Sequence, residues 1–519
     1  PGSRGLLHSE DEVALPCIHK LVAASSFSKP KVLTATSTLK FIPEELAVFC
    51  RDFRLLHFSF PGNGLAPQAF RVANAIAQAR EAAAWLGDAA EGHRGWSCPD
   101  EAPPEEEEED EEEGLSSTLL FESLWDWEKE LQRLGAVGWR VSAVNERFDM
   151  APSLPQYLWV PSGLLDHDLK RTFAHFQERR VPRLCWHHPA GGDLLRAASF
   201  HPASEPGSED VRCLEMLLLG DRGPCVLADT AELPTLADIQ LAHLRLQALC
   251  LPEPSDRDLN CLLASLVQLL GDPHARSLPG FQSLVQREWV AAGHPFPRRL
   301  GLLRRDSPRE EAPVFLLFLD CTWQLLWQFP ADFGFTEAFL LALHDSSFSP
   351  YFSTFRFSCQ RQRGHSSTSQ LPSHAYRPMG GWQEPGGPGG GPGPCPFPPV
   401  WAWGRRYSRQ QQQRFRNPAG APGPAEPLAP GTPAEPCPRG GSRLVLTLAK
   451  GSLCPQPLPW WGRPPLRPPH RVSPPESQGR PGGLLGSCHP RPGLLLPCTA
   501  GPCIRLWHRC YLRGLPQEQ

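Results

Sequence analysis

Nine consecutive acidic residues, Glu105–Glu113, divide this chain before any other feature is read. They repel one another, and no apolar core accepts them unpaired. The run must be extended and solvated, so folded units on either side have to be complete without it. Asp100–Gly114 reads as a linker, either a plain spacer or an interaction tail for a basic partner. A second division lies near residue 370. The 60 Pro and 45 Gly concentrate beyond it, with Gly380–Pro394 nearly all Gly and Pro and Pro418–Pro438 rich in Pro, Ala and Gly. Such segments bury too little apolar surface to offset the entropy of ordering. The expected layout is a first unit at 1–98, an acidic linker at 99–116, a larger unit at 117–416 with a low-complexity stretch at 371–396, and a largely disordered tail at 417–519.

The first unit reads as strands closed by a helix. Val32–Thr38 and Ala47–Phe60 carry β-branched and aromatic residues in partial alternation. Pro67–Trp85 places Phe70, Val72, Ile76, Ala79 and Ala83 near a 3.6-residue period. That succession suits a pleckstrin-homology-type barrel. Lys20, Lys29, Lys31, Arg51 and Arg54 are candidates for a basic face toward a phosphoinositide headgroup, with ordinary solvated charges as the alternative.

In the larger unit, Phe121–Leu134 reads as an amphipathic opening helix. Trp139–Phe148 and Gln156–Pro161 follow, then a helical candidate at Leu165–Arg179 and a short buried strand at Val181–Trp186. Strands alternating with helices imply an α/β sheet with flanking helices. Asn145–Phe148, Pro182–Trp186, Gly191–Phe200 (GGDLLRAASF), Pro279–Arg299 (PGFQSLVQREWVAAGHPFPRR) and Pro313–Pro330 (PVFLLFLDCTWQLLWQFP) occur in that order. This succession resembles the myotubularin family of phosphoinositide 3-phosphatases. Phe49–Arg54 and Cys17–Lys20 resemble the GRAM domain that precedes the phosphatase domain there. The resemblance implies an α+β multidomain chain, with an N-terminal PH/GRAM-like β-barrel, an α/β Cys-phosphatase-like domain and a disordered Pro/Gly-rich C-terminal region.

The resemblance also locates the loop where chemistry would occur. Counting back from Leu263–Leu266, the family's nucleophile position falls on Glu253 and its phosphate-binding Arg position on Leu259. Asp258 matches the family's second loop Asp, a proposed proton donor. A Cys phosphatase needs a thiolate activated by loop N–H groups and a helix N-terminus, and a guanidinium fork for the phosphoryl oxygens. Glutamate at the attack position repels a dianionic phosphate, and leucine binds no phosphate oxygen. Leu233–Cys250 resembles a family segment well upstream of the loop, yet only Leu251 and Pro252 separate it from Glu253. Several tens of residues are absent by that comparison, a skipped exon being the preferred explanation. The residues lost would include the strand that presents the loop. Val400–Pro418 and Gly501–Gln519 resemble the end of the phosphatase domain and the C-terminal region of the family's inactive subgroup.

Other constellations carry less. The literal Cys-x5-Arg matches Cys437–Arg443 and Cys503–Arg509 are as frequent as chance predicts. The first lies between Pro-rich tracts, and the second lacks glycine and reads as an amphipathic helix. Cys185, His187 and His188 lack a second ligand pair at zinc spacing, so packing is their expected role. The Trp323–Trp327 stretch with Phe315 and Phe318 reads as core. Val400–Phe415 mixes Arg with Trp and Tyr, as some nucleic-acid binders do, but reads as a domain-end surface. A net charge of −4 gives no global case for nucleic acid. Seventeen scattered Cys fit a reducing, cytoplasmic compartment. Pro313–Pro330, the best transmembrane candidate, is broken by Asp320, Gln324 and Gln328.

These readings converge on a catalytically inactive pseudophosphatase needing no cofactor or metal. It would act as adaptor or regulatory subunit of an active family phosphatase in a heteromer, cytoplasmic and peripheral on phosphoinositide membranes. The alternatives are a lipid-binding module acting through the first unit alone, and an active phosphoinositide 3-phosphatase.

Overall fold

Alternating apolar residues in the first unit pair into a four-stranded antiparallel sheet, ordered β2-β1-β3-β4. The strands are β1 (Ile18–Ser25), β2 (Ser28–Leu33), β3 (Glu45–Cys50) and β4 (Leu55–Ser59). Leu21, Ala23, Leu33, Leu46 and Val48 turn inward against α1 (Ala66–Ala83), whose Ala73 and Ala77 are buried. The stretch Ala47–Phe60 holds most of β3 and all of β4. The Cys50 N–H donates to the Arg54 carbonyl, and Phe53 takes a left-handed φ of 66° to close the turn. Among the described residues the sheet does not close into a barrel.

The structure is a computed structural model. It describes residues 13–83, 118–219, 256–302, 310–363, 399–418, 445–447 and 493–513, with breaks at 26–27, 35–38, 40, 61–65, 189–191, 202–203, 205–206 and 350–351. The acidic run, Leu233–Cys250, Glu253, the low-complexity stretch 371–396 and Cys437–Arg443 lie outside the described residues.

The larger unit opens with α2 (Leu124–Leu134). Ser123 caps it by accepting the Asp126 N–H at 3.3 Å, and Gly135 ends it at φ 60°. β5 (Trp139–Ser142) and β6 (Leu158–Pro161) pair antiparallel. The helix expected over Leu165–Arg179 stops early. After α3 (Asp166–Thr172) come two 3-10 turns, and Glu178 and Arg179 have φ of 50° and 57°, which no continuing helix tolerates. β7 (Arg183–His188) and β8 (Gly192–Arg196) pair antiparallel, and β9 (Val445–Thr447) runs parallel to β8. The described strands of this unit therefore form two small sheets rather than one large α/β sheet. α4 (Ser208–Leu219) packs on α3.

Helices then dominate: α5 (Leu259–Gly271), α6 (Leu278–Val285), α7 (Phe296–Arg299), α8 (Val314–Gln328), α9 (Glu337–Ser347) and α10 (Arg409–Gln413). Their core is aromatic. Trp289 packs against Phe315 at 5.0 Å and Phe318 at 5.1 Å, and Phe281 against Phe318 and Phe335. Phe315 and Phe318 are buried there as expected, whereas Trp327 is exposed. Residues 493–513 return across α8 and α9. The helix expected over 503–509 is a 3-10 turn at Gly501–Cys503, an extended stretch, and then α11 (His508–Tyr511). The first unit docks on this body through the Arg51–Glu311 ion pair at 2.9 Å and Phe53, whose ring meets His344 and Tyr511. Among the described residues no helix is long and apolar enough to cross a membrane.

Candidate functional site

The loop that enters α5 turns at Asp256, which adopts φ 55° and directs its carboxylate into the protein. Three arginines meet it there. Arg183 from β7 donates to Oδ2 at 2.8 Å, and Arg196 from β8 donates Nε to Oδ1 at 2.8 Å. Arg180, just before β7, donates Nε to Oδ2 at 3.1 Å. Arg180 and Arg196 also hold the Asp256 backbone carbonyl, at 3.0 and 2.7 Å, and Asn260 donates to Oδ1 at 2.9 Å. Burial would push this carboxyl up. Arg183, Arg196 and Arg180 outweigh it and hold the group well below the carboxylate range. Arg180, wholly buried among like charges, is pulled down to about 10 by burial, with Asp256 opposing.

A chain of alternating charge runs on from this knot. Arg196 reaches Glu288 at 3.1 Å, Glu288 meets Arg287 at 3.0 Å, and Arg287 pairs with Glu130 of α2 at 2.8 Å. Arg133 then bridges Glu130 at 2.8 Å and Asp272, at the end of α5, at 2.9 Å. Local geometry makes this possible. Gln286–Ala291 widens into a π-helix, and the adjacent Arg287 and Glu288 are both buried. Burial would raise the Glu288 carboxyl, yet Arg287 and Arg196 keep it below its usual value.

The next loop residues are equally committed. Both oxygens of Asp258 accept from Arg299, at 3.0 and 2.8 Å, and Oδ1 also meets His294 Nδ1 at 3.0 Å. Arg257 donates to the carbonyls of Gly293 at 2.7 Å and Ser358 at 2.9 Å. Leu259 opens α5 and is buried in the helical core. Cys261, in the first turn of α5, touches Arg196 Nη2 at 3.2 Å, but burial pushes its thiol up to about 11. A thiol that stays protonated near neutral pH is no attacking group. Beside the knot, a cavity of about 20 Å³ is lined by Trp127, Trp159, Arg183, Arg196, Arg287 and Glu288. It has room for a water, not for a phosphorylated headgroup. One Nη of Arg183 is buried without a partner beside it.

Of the loop positions predicted from sequence, Asp258 and Leu259 are therefore brought together at the start of α5, while Glu253 lies outside the described residues. The basic residues of the first unit are engaged differently. Arg51 pairs with Glu311 and Arg54 with Asp52 at 2.8 Å. Lys20 is exposed above the Phe49 ring, and Lys29 with Lys31 lies on edge strand β2. Cys185 is buried in β7, and His187 bonds Asp193 at 2.5 Å. Among the described residues no three His, Cys, Asp or Glu side chains are arranged to hold a metal ion. Sequence reading missed the three arginines and Glu288. For Arg183, Arg196 and Glu288 the signal was present as charges inside the apolar windows at 181–186, 191–200 and 279–299; Arg180, just before the first window, carried none.

Comparison with known proteins adds identity to this geometry. The Myotubularin-like phosphatase domain matches residues 102–219 and 252–364. The chain is 44% identical to Myotubularin-related protein 11 of Homo sapiens, over 99% of this chain and 78% of the relative. It is 43% identical to Myotubularin-related protein 11 of Mus musculus, over 99% and 79%. To Myotubularin-related protein 10-B of Xenopus laevis it is 31% identical, over 99% and 74%. The match to the human relative extends over 574 residues against 519 in the chain, so that relative carries additional residues within the matched span. The domain match itself breaks between 219 and 252 and resumes at the loop.

Proposed function

The chain belongs to the myotubularin family, and we propose that within it this chain is a catalytically inactive pseudophosphatase, an adaptor or regulatory subunit for an active phosphoinositide 3-phosphatase. The observation that carries the reading is the filling of the loop from within. The carboxylate of Asp256 occupies three guanidinium groups, and Arg257 and Arg299 are engaged by carbonyls and by Asp258. Leu259, where the family has its phosphate-binding Arg, is packed in the core. A phosphoryl group needs a thiolate and donors turned toward it; the described loop residues Asp256–Leu259 include no cysteine, and the Arg257 guanidinium is already bound to carbonyls. The extensive surface of two docked units remains as the working part.

Affinity purification of the tagged full chain is the test. Co-purification of an active myotubularin phosphatase supports the adaptor reading. Phosphate release from phosphatidylinositol 3-phosphate by the chain itself, above a mock preparation, overturns it. A second reading, a phosphoinositide-binding role for the PH/GRAM-like first unit, is favoured by one observation. Lys20 and Lys29 are exposed on this unit.

A further inference from the structure

Residues 493–513 lie along the helical body as a docked peptide does: Gly493 and Leu495 meet Arg276 and the end of α5, and the rest, from Cys498 to Arg513, lies on α8 and α9. Two glutamines one turn apart on α8 clamp its backbone. Gln328 accepts the Cys498 N–H at 2.9 Å and donates to the Cys498 carbonyl at 3.2 Å. Gln324 does the same for Arg505, at 3.2 and 2.7 Å. A side-chain amide paired with both groups of one residue replaces a strand partner and reads backbone rather than sequence. Side chains add the specificity. Trp507 is wholly buried, stacked on Trp323 at 5.9 Å, and donates its indole N–H to Glu337 at 2.9 Å. Arg513 ends the segment on Asp345 at 2.6 Å.

The contacts between this segment and the helices are noncovalent, and the chain that leads to it is long. About 45 residues, 448–492, separate Thr447 from Gly493. A connection of that length has a contour of up to roughly 150 Å, well beyond the width of one folded unit. The domain match ends at residue 364, so the segment lies outside it.

We propose that the groove formed by α8 and α9 is a peptide-docking site whose ligand is the segment 493–513, and that it takes this segment from a second copy of the chain as well as from its own. The intramolecular arrangement has the advantage of effective concentration, which falls as the connection lengthens. Exchange between two copies therefore adds no new contact. It rearranges who supplies the tail, as in a domain swap.

A charge-reversal pair tests this in the full chain. Asp345→Arg alone and Arg513→Asp alone each set like charges facing in the groove, and each protein should be monomeric with a protease-sensitive C-terminus. Mixed, the Asp345→Arg groove meets the Arg513→Asp tail, and the unaltered Asp345 meets the unaltered Arg513. The expected result is a one-to-one heterodimer by light scattering, at least tenfold more abundant than any self-dimer. The chain carrying both changes should be monomeric with its tail protected again. Thermal melts establish that each variant is folded, and a Trp507→Ala chain mixed with Asp345→Arg serves where Arg513→Asp is not. A mixture of folded variants that stays monomeric while the double variant regains tail protection overturns the exchange.

Discussion

Arg196 grips Asp256 at two points, with Nε on the carboxylate at 2.8 Å and Nη2 on the same residue's backbone carbonyl at 2.7 Å. One guanidinium thus fixes both the side chain and the path of the loop. The Asp256 φ of 55° is held open by this double hold and by its counterpart from Arg180. A residue other than glycine in that conformation is strained by about 1–2 kcal/mol, so the arginines must over-determine it. An internal ion network thus holds the shape of the loop.

Asp256→Asn should therefore destabilise the larger unit by about 3–5 kcal/mol, because Arg180, Arg183 and Arg196 all lose the Asp256 charge and only Arg196 keeps Glu288. The expected readout is a fall in the denaturant midpoint with the slope unchanged. A loss below 1 kcal/mol would show that the knot is dispensable to the fold.

The same network fixes the direction of acid sensitivity. The carboxyls of Asp256 and Asp345 have a usual value of 3.8. Both tend upward through burial, yet the Arg183–Arg196–Arg180 group and Arg513, respectively, hold them below that value. A depressed folded value contributes stability that is complete above 3.8 and is lost as pH falls below it. Denaturant midpoints should hold steady from pH 7 to about 5 and then drop from pH 4 downward. In Asp256→Asn the drop should be shallower; an equal drop in both proteins would assign it to other carboxylates.

Much of this architecture was legible beforehand, but not the knot. α1, α2 and β7 fall close to where the sequence placed them, the helices because each buries one face and β7 because it is a short run buried on both. The turn at Phe53 inside Ala47–Phe60 was not read, because the reversal is made by one left-handed residue with no Gly or Pro beside it, and only Arg51-Asp52 interrupts the β-favouring residues there. The helix over Leu165–Arg179 stops at Thr172 and the chain reverses at the left-handed Glu178 and Arg179, which no glycine or proline announces. The arginine knot depends on β7, β8 and the loop meeting in space, which no local pattern reports. Charged residues in apolar windows announced only that partners were needed.

Reinstating the family's loop residues should fail as a rescue. In the double variant Glu253→Cys with Leu259→Arg, a guanidinium replaces a leucine packed in the aromatic-rich core. The donors that would surround a phosphoryl group remain occupied by Asp256 and Asp258. Phosphate release from phosphatidylinositol 3-phosphate should stay at the level of the unaltered chain. Turnover even a hundredfold below an active homologue would show that substitution at two positions was all that silenced the loop.

Lipid contact, if it runs through the first unit, should separate the three lysines from Arg54. Lys20→Ala with Lys29→Ala and Lys31→Ala should weaken binding to vesicles containing phosphoinositide, by about 1 kcal/mol for each lysine near the surface. Arg54→Ala should instead act on folding, because it abandons the buried Asp52. Vesicle sedimentation beside a thermal melt separates the two effects. Equal loss of lipid binding in the Arg54 variant at unchanged stability would place the headgroup at the β3–β4 turn.

Two glycines allow backbone strain and crowding to be measured apart. Gly135, which ends α2, has φ 60°, and a Cβ built there meets nothing within 4 Å. Gly293 has φ 83°, and a Cβ there would lie 2.3 Å from the Ser153 carbonyl oxygen. That oxygen accepts from Arg180, and the Gly293 carbonyl accepts from Arg257, so neither backbone can retreat without loosening the loop. Gly135→Ala should destabilise by the conformational term alone, about 1 kcal/mol. Gly293→Ala adds the clash and the disturbed arginine contacts, and should lose at least twice as much in chemical denaturation. Because its effect passes through Arg180 and Arg257, it should also be less than additive with Asp256→Asn. Strict additivity would mean that Gly293 supports the fold independently of the loop.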